Sequence, residues 1–358
     1  MPGLFDPIEV RGTRLRNRIF TAPMCQYSVM RRDGVPAPWH LVHLGSIAAG
    51  GSALVIAEAT AVSPEGRISD RDTGIWNDEQ AHAWRPIAEF IASQGAVPGI
   101  QLAHAGRKGS TWAPWGEDGR HGTIPPREGG WPTVAPSEVP YEGLAVPGAL
   151  DSEGIDRVVG AFAAAARRAV NAGFGMVEVH AAHGYLLHEF LSPVSNFRTD
   201  AYGGSLENRA RPLLWVVASV REAIGDLPLF VRFSASDWAP TGWDVDACAT
   251  VARWCADAGA DLFDISSGGN VPAEIPVGPG YQVPFAARIK ELTGLPVSAV
   301  GIITEPRQAS AVVSSGQADA VSLARELLRD PHFPLRAAHE LGVDLDYWPG
   351  QYLRARWR

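Results

Sequence analysis

Cysteine is scarce in this chain: three in 358 residues, at Cys25, Cys248 and Cys255. So few thiols make a poor disulfide framework at this length, and a reducing cytoplasm is the expected setting. Cys248 and Cys255, in "DVDACATVARWCADAG", read as small apolar residues on the buried face of a helix. Long apolar runs are also missing. Nothing approaches the roughly 18 residues that span a bilayer, and the opening "MPGLFDPIEVRGTRLRNRIF" is too polar and charged for a signal peptide. Positive charge is in deficit, since 31 Lys and Arg against 39 Asp and Glu give a net charge of −8. That balance disfavours nucleic acid or an anionic membrane as partner, while leaving room for one phosphate in a local basic pocket.

What is present has the balance of a soluble globular protein, 46% apolar and 20% charged. Short β-rich runs alternate with longer helical patterns. The strand candidates are 18–24, 53–59, 97–105, 176–182, 229–235, 261–267, 296–301 and 319–325. Helical patterns such as "EQAHAWRPIAEFIASQG" and "IDRVVGAFAAAARRAVNAGF" lie between them, and several end in glycine just before the next strand, where a left-handed residue is wanted. Eight such alternations point to parallel βαβ units closing into a single α/β (β/α)8 TIM barrel spanning 1–358. A doubly wound open sheet would carry G-x-G-x-x-G after its first strand, and none is there. Residues 1–17 read as a short N-terminal cap or hairpin over the barrel bottom. Residues 106–149, rich in Gly, Pro and Trp and without periodicity, read as a lid insertion after strand three. Residues 342–358 form a C-terminal tail.

In such barrels the chemistry gathers at the carboxyl ends of the strands. Read to their ends, the strands supply Cys25, Glu58 with Ala59, Gln101 with His104, His180 with His183, Arg232, Ser266, Gly301 and Arg325. "EVHAAHGYLLHEFLSP" is the densest stretch. His180-x-x-His183-x-Tyr185 suits a metal site, a helix face that carries imidazoles, or a hydrogen-bonding clamp with a proton donor beside it. Strand one ends in "APMC" without the histidine that many metal barrels place there, and no carboxylate completes a ligand set, so no metal is expected. The loops after strands seven and eight form the usual phosphate corner: Gly301 allows close backbone approach, the helix after Ala324 offers free N–H groups, and Arg325 adds charge. The alternative for Arg325 is a surface ion pair with Glu326 or Asp330. Gln101 and Arg232, midway round, suit a planar heterocycle. Phosphate plus planar polar ring describes FMN.

These residues occur in "APMCQYS", "EATAVSPEGR", "GIQLAHAGRK", "VEVHAAHGYLLHEFLSPVSNFRTDAYGGSLENRAR", "VRFSASD" and "ARELLRDP", and the set resembles the Old Yellow Enzyme family from about Leu4 onward. More narrowly, it is similar to the bacterial thermophilic-like, xenobiotic reductase-like branch of FMN ene-reductases. The resemblance implies a barrel that binds FMN, accepts hydride from NADPH or NADH, and passes it in a ping-pong cycle to activated alkenes: enones, enals, maleimides, nitroalkenes. It implies that Ala22, Pro23, Met24, Cys25, Ala59, Gln101, Arg232, Ala324 and Arg325 hold the flavin. His180 and His183 would grip the substrate oxygen, Tyr27 would touch substrate, and Tyr185 would donate the proton. The tail "QYLRARWR" is similar to tails that reach a neighbouring subunit's site, which implies a homodimer or homotetramer, with Arg354 or Arg356 and Trp357 as candidates. Two departures stand out. Ala324 occupies a position that is commonly Gly, and the 106–149 insertion is unusually long. Relatives with an iron–sulfur cluster carry cysteines beyond the barrel, and no cysteine follows Cys255.

The chemistry is consistent with those roles. Two imidazole N–H groups converging on a carbonyl oxygen would stabilise the charge that develops when hydride adds at the β-carbon. A phenol with a pKa near ~10 stays protonated at neutral pH and can act as the acid at the α-carbon. Cys25 is expected to tune the flavin by a weak hydrogen bond rather than to act as a nucleophile, since no histidine is placed to activate it. His188 is expected to be structural.

Overall fold

A computed structural model describes residues 2–115 and 119–357; residues 116–118 of the insertion lie outside the described residues. An antiparallel hairpin, β1 (Ile8–Val10) with β2 (Thr13–Leu15), precedes the barrel. The barrel strands are β3 (Ile19–Thr21), β4 (Leu54–Ala61), β5 (Val97–Ala103), β8 (Met176–Ala181), β9 (Leu229–Ser234), β10 (Leu262–Ser266), β11 (Val297–Ala299) and β12 (Ala320–Leu323). All pair in parallel with their neighbours, and β12 pairs with β3 to close the ring. Each strand falls within or beside the stretch expected for it. The first is much shorter than 18–24, because after Thr21 the chain leaves the ladder and Ala22 to Cys25 continue as irregular backbone.

The helices α1 (Pro38–Ala49), α2 (Asp78–Ser93), α3 (Ser152–Asn171), α5 (Leu206–Ile224), α6 (Val245–Asp257), α7 (Val283–Thr293) and α8 (Pro306–Ser314) ring the barrel. Their boundaries follow from local chemistry. Asn77, Asp151, Ser205 and Asp244 each cap a helix by accepting a backbone N–H. Gly294 ends α7 in the left-handed region at φ 71°. Cys248 and Cys255 are fully buried on α6. Short helices α4 (Leu186–Leu191), α9 (Arg325–Arg329) and α10 (Phe333–Glu340) decorate the ends of β8 and β12.

Apart from an irregularity in β4, the strands alternate. Val177, Val179, Val231, Phe233, Phe263 and Ile265 pack outward against the helices. Phe20, Leu54, Met176, Phe230 and Leu262 point inward, where Val10 and Leu15 of the hairpin join them and close the lower end of the barrel. The long insertion carries a two-residue parallel pair, β6 (Val134–Ala135) with β7 (Gly148–Ala149). It is tied down by Trp131, whose Nε1 donates to the Glu65 carbonyl at 2.9 Å while its ring stacks under Arg67.

Candidate functional site

Above the apolar floor the barrel interior turns polar, because the same alternation now aims Gln101, Glu178, Arg232, Asp264, Ser298 and Ser322 inward. Gln101 Nε2 donates to Glu178 Oε1 at 2.7 Å, and Arg232 Nε lies 3.2 Å from Asp264 Oδ2. Ser298 Oγ donates to Asp264 Oδ1 at 2.7 Å, and Ser322 Oγ to Ser298 Oγ at 3.1 Å. Burial, with Asp264 adding to it, pushes the Glu178 carboxyl up to about 8. Gln101 and Arg232 are thus each anchored by one carboxylate, and among the described residues Gln101 Oε1 and the Arg232 Nη groups have no hydrogen-bond partner.

His180 lies at the end of β8, and His183 and Tyr185 follow on the turn into α4. The His180 ring is 5.2 Å from the His183 ring and 5.2 Å from the Tyr185 ring, centroid to centroid. The turn brings them together through two consecutive left-handed residues, His183 at φ 59° and Gly184 at φ 70°. Glycine is required at the second, where an added Cβ would collide with the Gly269 carbonyl oxygen. The His183 N–H is held by Ser234 Oγ at 2.9 Å, its carbonyl by Lys108 Nζ at 2.8 Å, and its Nε2 lies 2.7 Å from Ser266 Oγ. Behind the turn the Gly184 N–H donates to His188 Nδ1 at 2.9 Å, and His188 Nε2 faces Asp237 Oδ1 at 3.0 Å.

Burial, then the positive charge of Arg232, pushes both His180 and His183 well below the usual imidazole range, so both are neutral. Burial, reinforced by Cys25 and Asp72, pushes the Tyr185 phenol well above its usual value, so its proton stays on. Lys108 Nζ, pulled down to about 8 mainly by burial, lies over the rings of Tyr141 and Tyr185, 4.7 and 5.0 Å from their centroids.

The segment leaving β3 brings Cys25 and Tyr27 close to Tyr185. It is positioned by Glu58, whose Oε2 accepts the Gln26 N–H at 2.5 Å while Oε1 faces His40 Nε2 at 2.8 Å. Glu58 falls at an irregularity in the β4–β5 pairing between Ala57 and Ala59, which frees its side chain for this task. Burial raises the Cys25 thiol well above its usual value, with Asp72 and Glu58 adding to the effect, so it is a thiol rather than a thiolate. Cys25 stands four residues beyond the end of β3, not on it. Tyr27, at φ 47°, meets Trp115 of the insertion edge-on at 5.1 Å.

Across the rim a cavity of about 390 Å³ is lined by Tyr281, Gln282, Gly301, Ile302, Ala324 and Arg325 among others. Gly301 and Ile302 are both left-handed, at φ 126° and 49°. Glu326 pairs with Arg329 at 2.6 Å and Asp330 with Arg336 at 2.7 Å. Among the described residues no carboxylate pairs with Arg325, so the surface ion pair considered for it is not formed. This arrangement fits a flavin mononucleotide: an uncommitted guanidinium beside a cavity at one side, and oriented amide and guanidinium groups beneath the centre. Among the described residues no three His, Cys, Asp or Glu side chains are grouped to hold a metal ion.

Reading only the strand ends missed Glu178, Asp264, Ser298 and Ser322, which lie two or three residues lower on the inward face. The alternation in "MVEVHAA" and "DLFDISS" carried that signal for Glu178 and Asp264. Lys108, Trp115 and the His188–Asp237 pair had no comparable signal, since their partners are distant in sequence.

The model of the NADH:flavin oxidoreductase / NADH oxidase family matches residues 3–344. An NADPH dehydrogenase of Geobacillus thermodenitrificans (strain NG80-2) is 47% identical over 356 residues, covering 99% of this chain and 98% of that protein. Among solved structures, the old yellow enzyme homologue from Zymomonas mobilis aligns with a TM-score of 0.79 at 29% identity, covering 99% of this chain and 98% of its own. Morphinone reductase aligns with a TM-score of 0.79 at 30% identity, covering 96% and 91%. No helix among the described residues is long and apolar enough to cross a membrane. With a flavin-sized polar rim on a closed parallel barrel and a family match over nearly its whole length, the chain belongs to the NADH:flavin oxidoreductase (Old Yellow Enzyme) family, as an FMN oxidoreductase that draws on NADPH or NADH.

Proposed function

We propose that the protein is an ene-reductase acting by a ping-pong cycle on enones, enals, maleimides and nitroalkenes. Bound FMN, once reduced by the nicotinamide, would supply hydride for the β-carbon. Gln101 and Arg232 would hold the flavin ring from within the barrel, together with Ala22, Pro23, Met24, Cys25 and Ala59. Gly301, Ala324 and Arg325 hold its phosphate. If Ala324 contributes through its backbone N–H, its methyl group in place of hydrogen would not remove the contact. His180 and His183 orient the substrate's carbonyl or nitro oxygen and donate neutral N–H groups to the charge that develops there. Tyr185 delivers its phenolic proton to the α-carbon, and Tyr27 forms a wall of the substrate pocket, backed by Trp115.

The observation that carries this reading is the clustering of two neutral imidazoles and one protonated phenol at the carboxyl end of β8, the His180 ring 5.2 Å from each of the other two. The test is spectroscopic. Flavin bands of the purified protein should bleach anaerobically with NADPH and return with 2-cyclohexenone. Tyr185→Phe should leave the first step intact and slow the second; a normal second step would move the proton's source to solvent.

We place the enzyme in the cytoplasm, as a homodimer or homotetramer whose tail approaches a neighbour's site. Arg354 or Arg356 would reach across, and the pairing of Arg356 with Asp344 in its own chain favours Arg354. The short 3₁₀ helix Gly350–Ala355 exposes Tyr352 and Leu353, consistent with a tail that docks elsewhere.

A further inference from the structure

Inside the barrel two carboxylates share one guanidinium, and the sharing is unequal. Arg232 contacts Asp264 at 3.2 Å, and Asp264 also accepts from Ser298 at 2.7 Å. Glu178 receives only a neutral amide, Gln101 Nε2, on Oε1. Its Oε2 has no hydrogen-bond partner among the described residues, and the residue is 0% exposed. An ionised oxygen enclosed in that way has no protein donor to stabilise it, whereas a carboxylic acid at the same place carries no charge to solvate.

The groups that face Glu178 reinforce this. On β5 there is neutral Gln101, on β9 Arg232, already engaged, and on β10 Asp264, a second acid. Above on β8 and its turn are the two neutral histidines, His180 and His183. Below are Met176, Phe230 and Leu54, all apolar. Nothing in this set offers Glu178 a cation of its own. Burial and then Asp264 push its carboxyl up to about 8, against the opposing pull of Arg232 and the Gln101 amide.

We propose that Glu178 is a buried carboxylic acid that keeps its proton on Oε2 through neutral pH, and that in alkaline solution it becomes the group that takes up an additional proton when the enzyme is reduced. The inference rests on the reading above that places the flavin ring over Gln101 and Arg232. With Glu178 protonated, Arg232 and Asp264 balance and the belt carries no net charge. Ionisation of Glu178 would leave one negative charge directly beneath the ring. Hydride from the nicotinamide brings two electrons and one proton, so the bound cofactor gains one negative charge unless a further proton arrives. That charge disfavours ionised Glu178 and raises the pH at which its proton leaves. Between the oxidised-state and reduced-state values, reduction therefore draws one proton from solvent onto Oε2, and the only new bond at Glu178 is that O–H.

The experiment is a potentiometric titration of the holoenzyme between pH ~6 and ~10, wild type beside Glu178→Gln, with reduced-minus-oxidised infrared difference spectra near pH ~9. In the wild type the uptake should rise from about one proton per two electrons at neutral pH toward about two above pH ~8. Glu178→Gln should stay near one throughout. The protonated-carboxyl C=O band that grows on reduction should be present in the wild type and absent from the variant. A wild-type stoichiometry that is constant across the range overturns the proposal even if the variant does not fold. A step that persists in Glu178→Gln overturns it too, by assigning the proton elsewhere. Failure of the underlying flavin placement reads differently: Arg232→Lys would then leave FMN affinity unchanged.

Discussion

Replacement of His188 by alanine tests whether the turn that carries His183 and Tyr185 is held from behind. His188 Nδ1 accepts the Gly184 N–H at 2.9 Å and Nε2 faces Asp237 Oδ1 at 3.0 Å, with both side chains fully buried. The variant leaves the Gly184 N–H without a partner, which costs about 1–3 kcal/mol. It also deprives a buried carboxylate of one partner. Loss of a buried pair member costs about 3–5 kcal/mol when nothing else remains, but Asp237 keeps Ser192 Oγ at 2.5 Å and the Trp243 N–H at 2.9 Å. The lower part of that range applies, and the two costs overlap, so about 4 kcal/mol of stability should be lost. The effect on turnover should be selective. Ser234 and Lys108 still grip His183, whereas the Gly184–Tyr185 segment loses its anchor. Substrate affinity should therefore change little while the oxidative half-reaction slows roughly 10- to 100-fold, the usual cost of a misplaced acid. His188→Asn, whose amide oxygen can accept the same N–H, should recover part of both losses. Urea unfolding of the holoenzyme and stopped-flow reoxidation by 2-cyclohexenone measure the two quantities. A stability loss below about 1 kcal/mol with a normal reoxidation rate would refute the clamp.

Other consequences can be checked as directly. Arg325→Ala removes the one uncommitted guanidinium at the β11–β12 corner and should weaken FMN binding by about 10- to 100-fold, from a charged hydrogen bond of about 1.5–3 kcal/mol; unchanged affinity would place the phosphate elsewhere. His43, lowered to about 4 by burial with His40 adding to it, is neutral in the folded chain until well below its unfolded value of 6.5. Its contribution to stability is thus complete above pH 6.5 and is lost as pH falls toward 4, at about 1.4 kcal/mol per pH unit. Glu178 and Glu189, protonated up to about 8, act oppositely over much of that range, so the difference between wild type and His43→Gln isolates the effect. Parallel urea midpoints from pH 7 to pH ~4.5 would contradict it. Truncation after Gly350 should alter assembly or turnover if the tail serves a neighbour, and identical sedimentation and kinetics would dismiss that role.

Much of this architecture is legible in the chain, because a parallel barrel buries its strands on both faces and so writes them as short β-branched runs between helices that end in glycine. The strand stretches, the rim at their carboxyl ends and the residues Gln101, His180, Arg232 and Arg325 all follow from that pattern. What tertiary structure alone decided are pairings between residues far apart in sequence. Nothing local says that Asn270 and Gly269 would crowd the turn at Gly184 and force glycine there. Nor does it say that His40 on α1 would face Glu58 on β4, or that Lys108 would lie over Tyr185. The protonation states belong to the same class. His180, His183, Tyr185 and Glu178 titrate ordinarily as sequence and depart from it only once the barrel has removed water and placed Arg232 and Asp264 among them. Periodicity determines which side of a strand a residue faces; solvation and charge at that place depend on seven other strands.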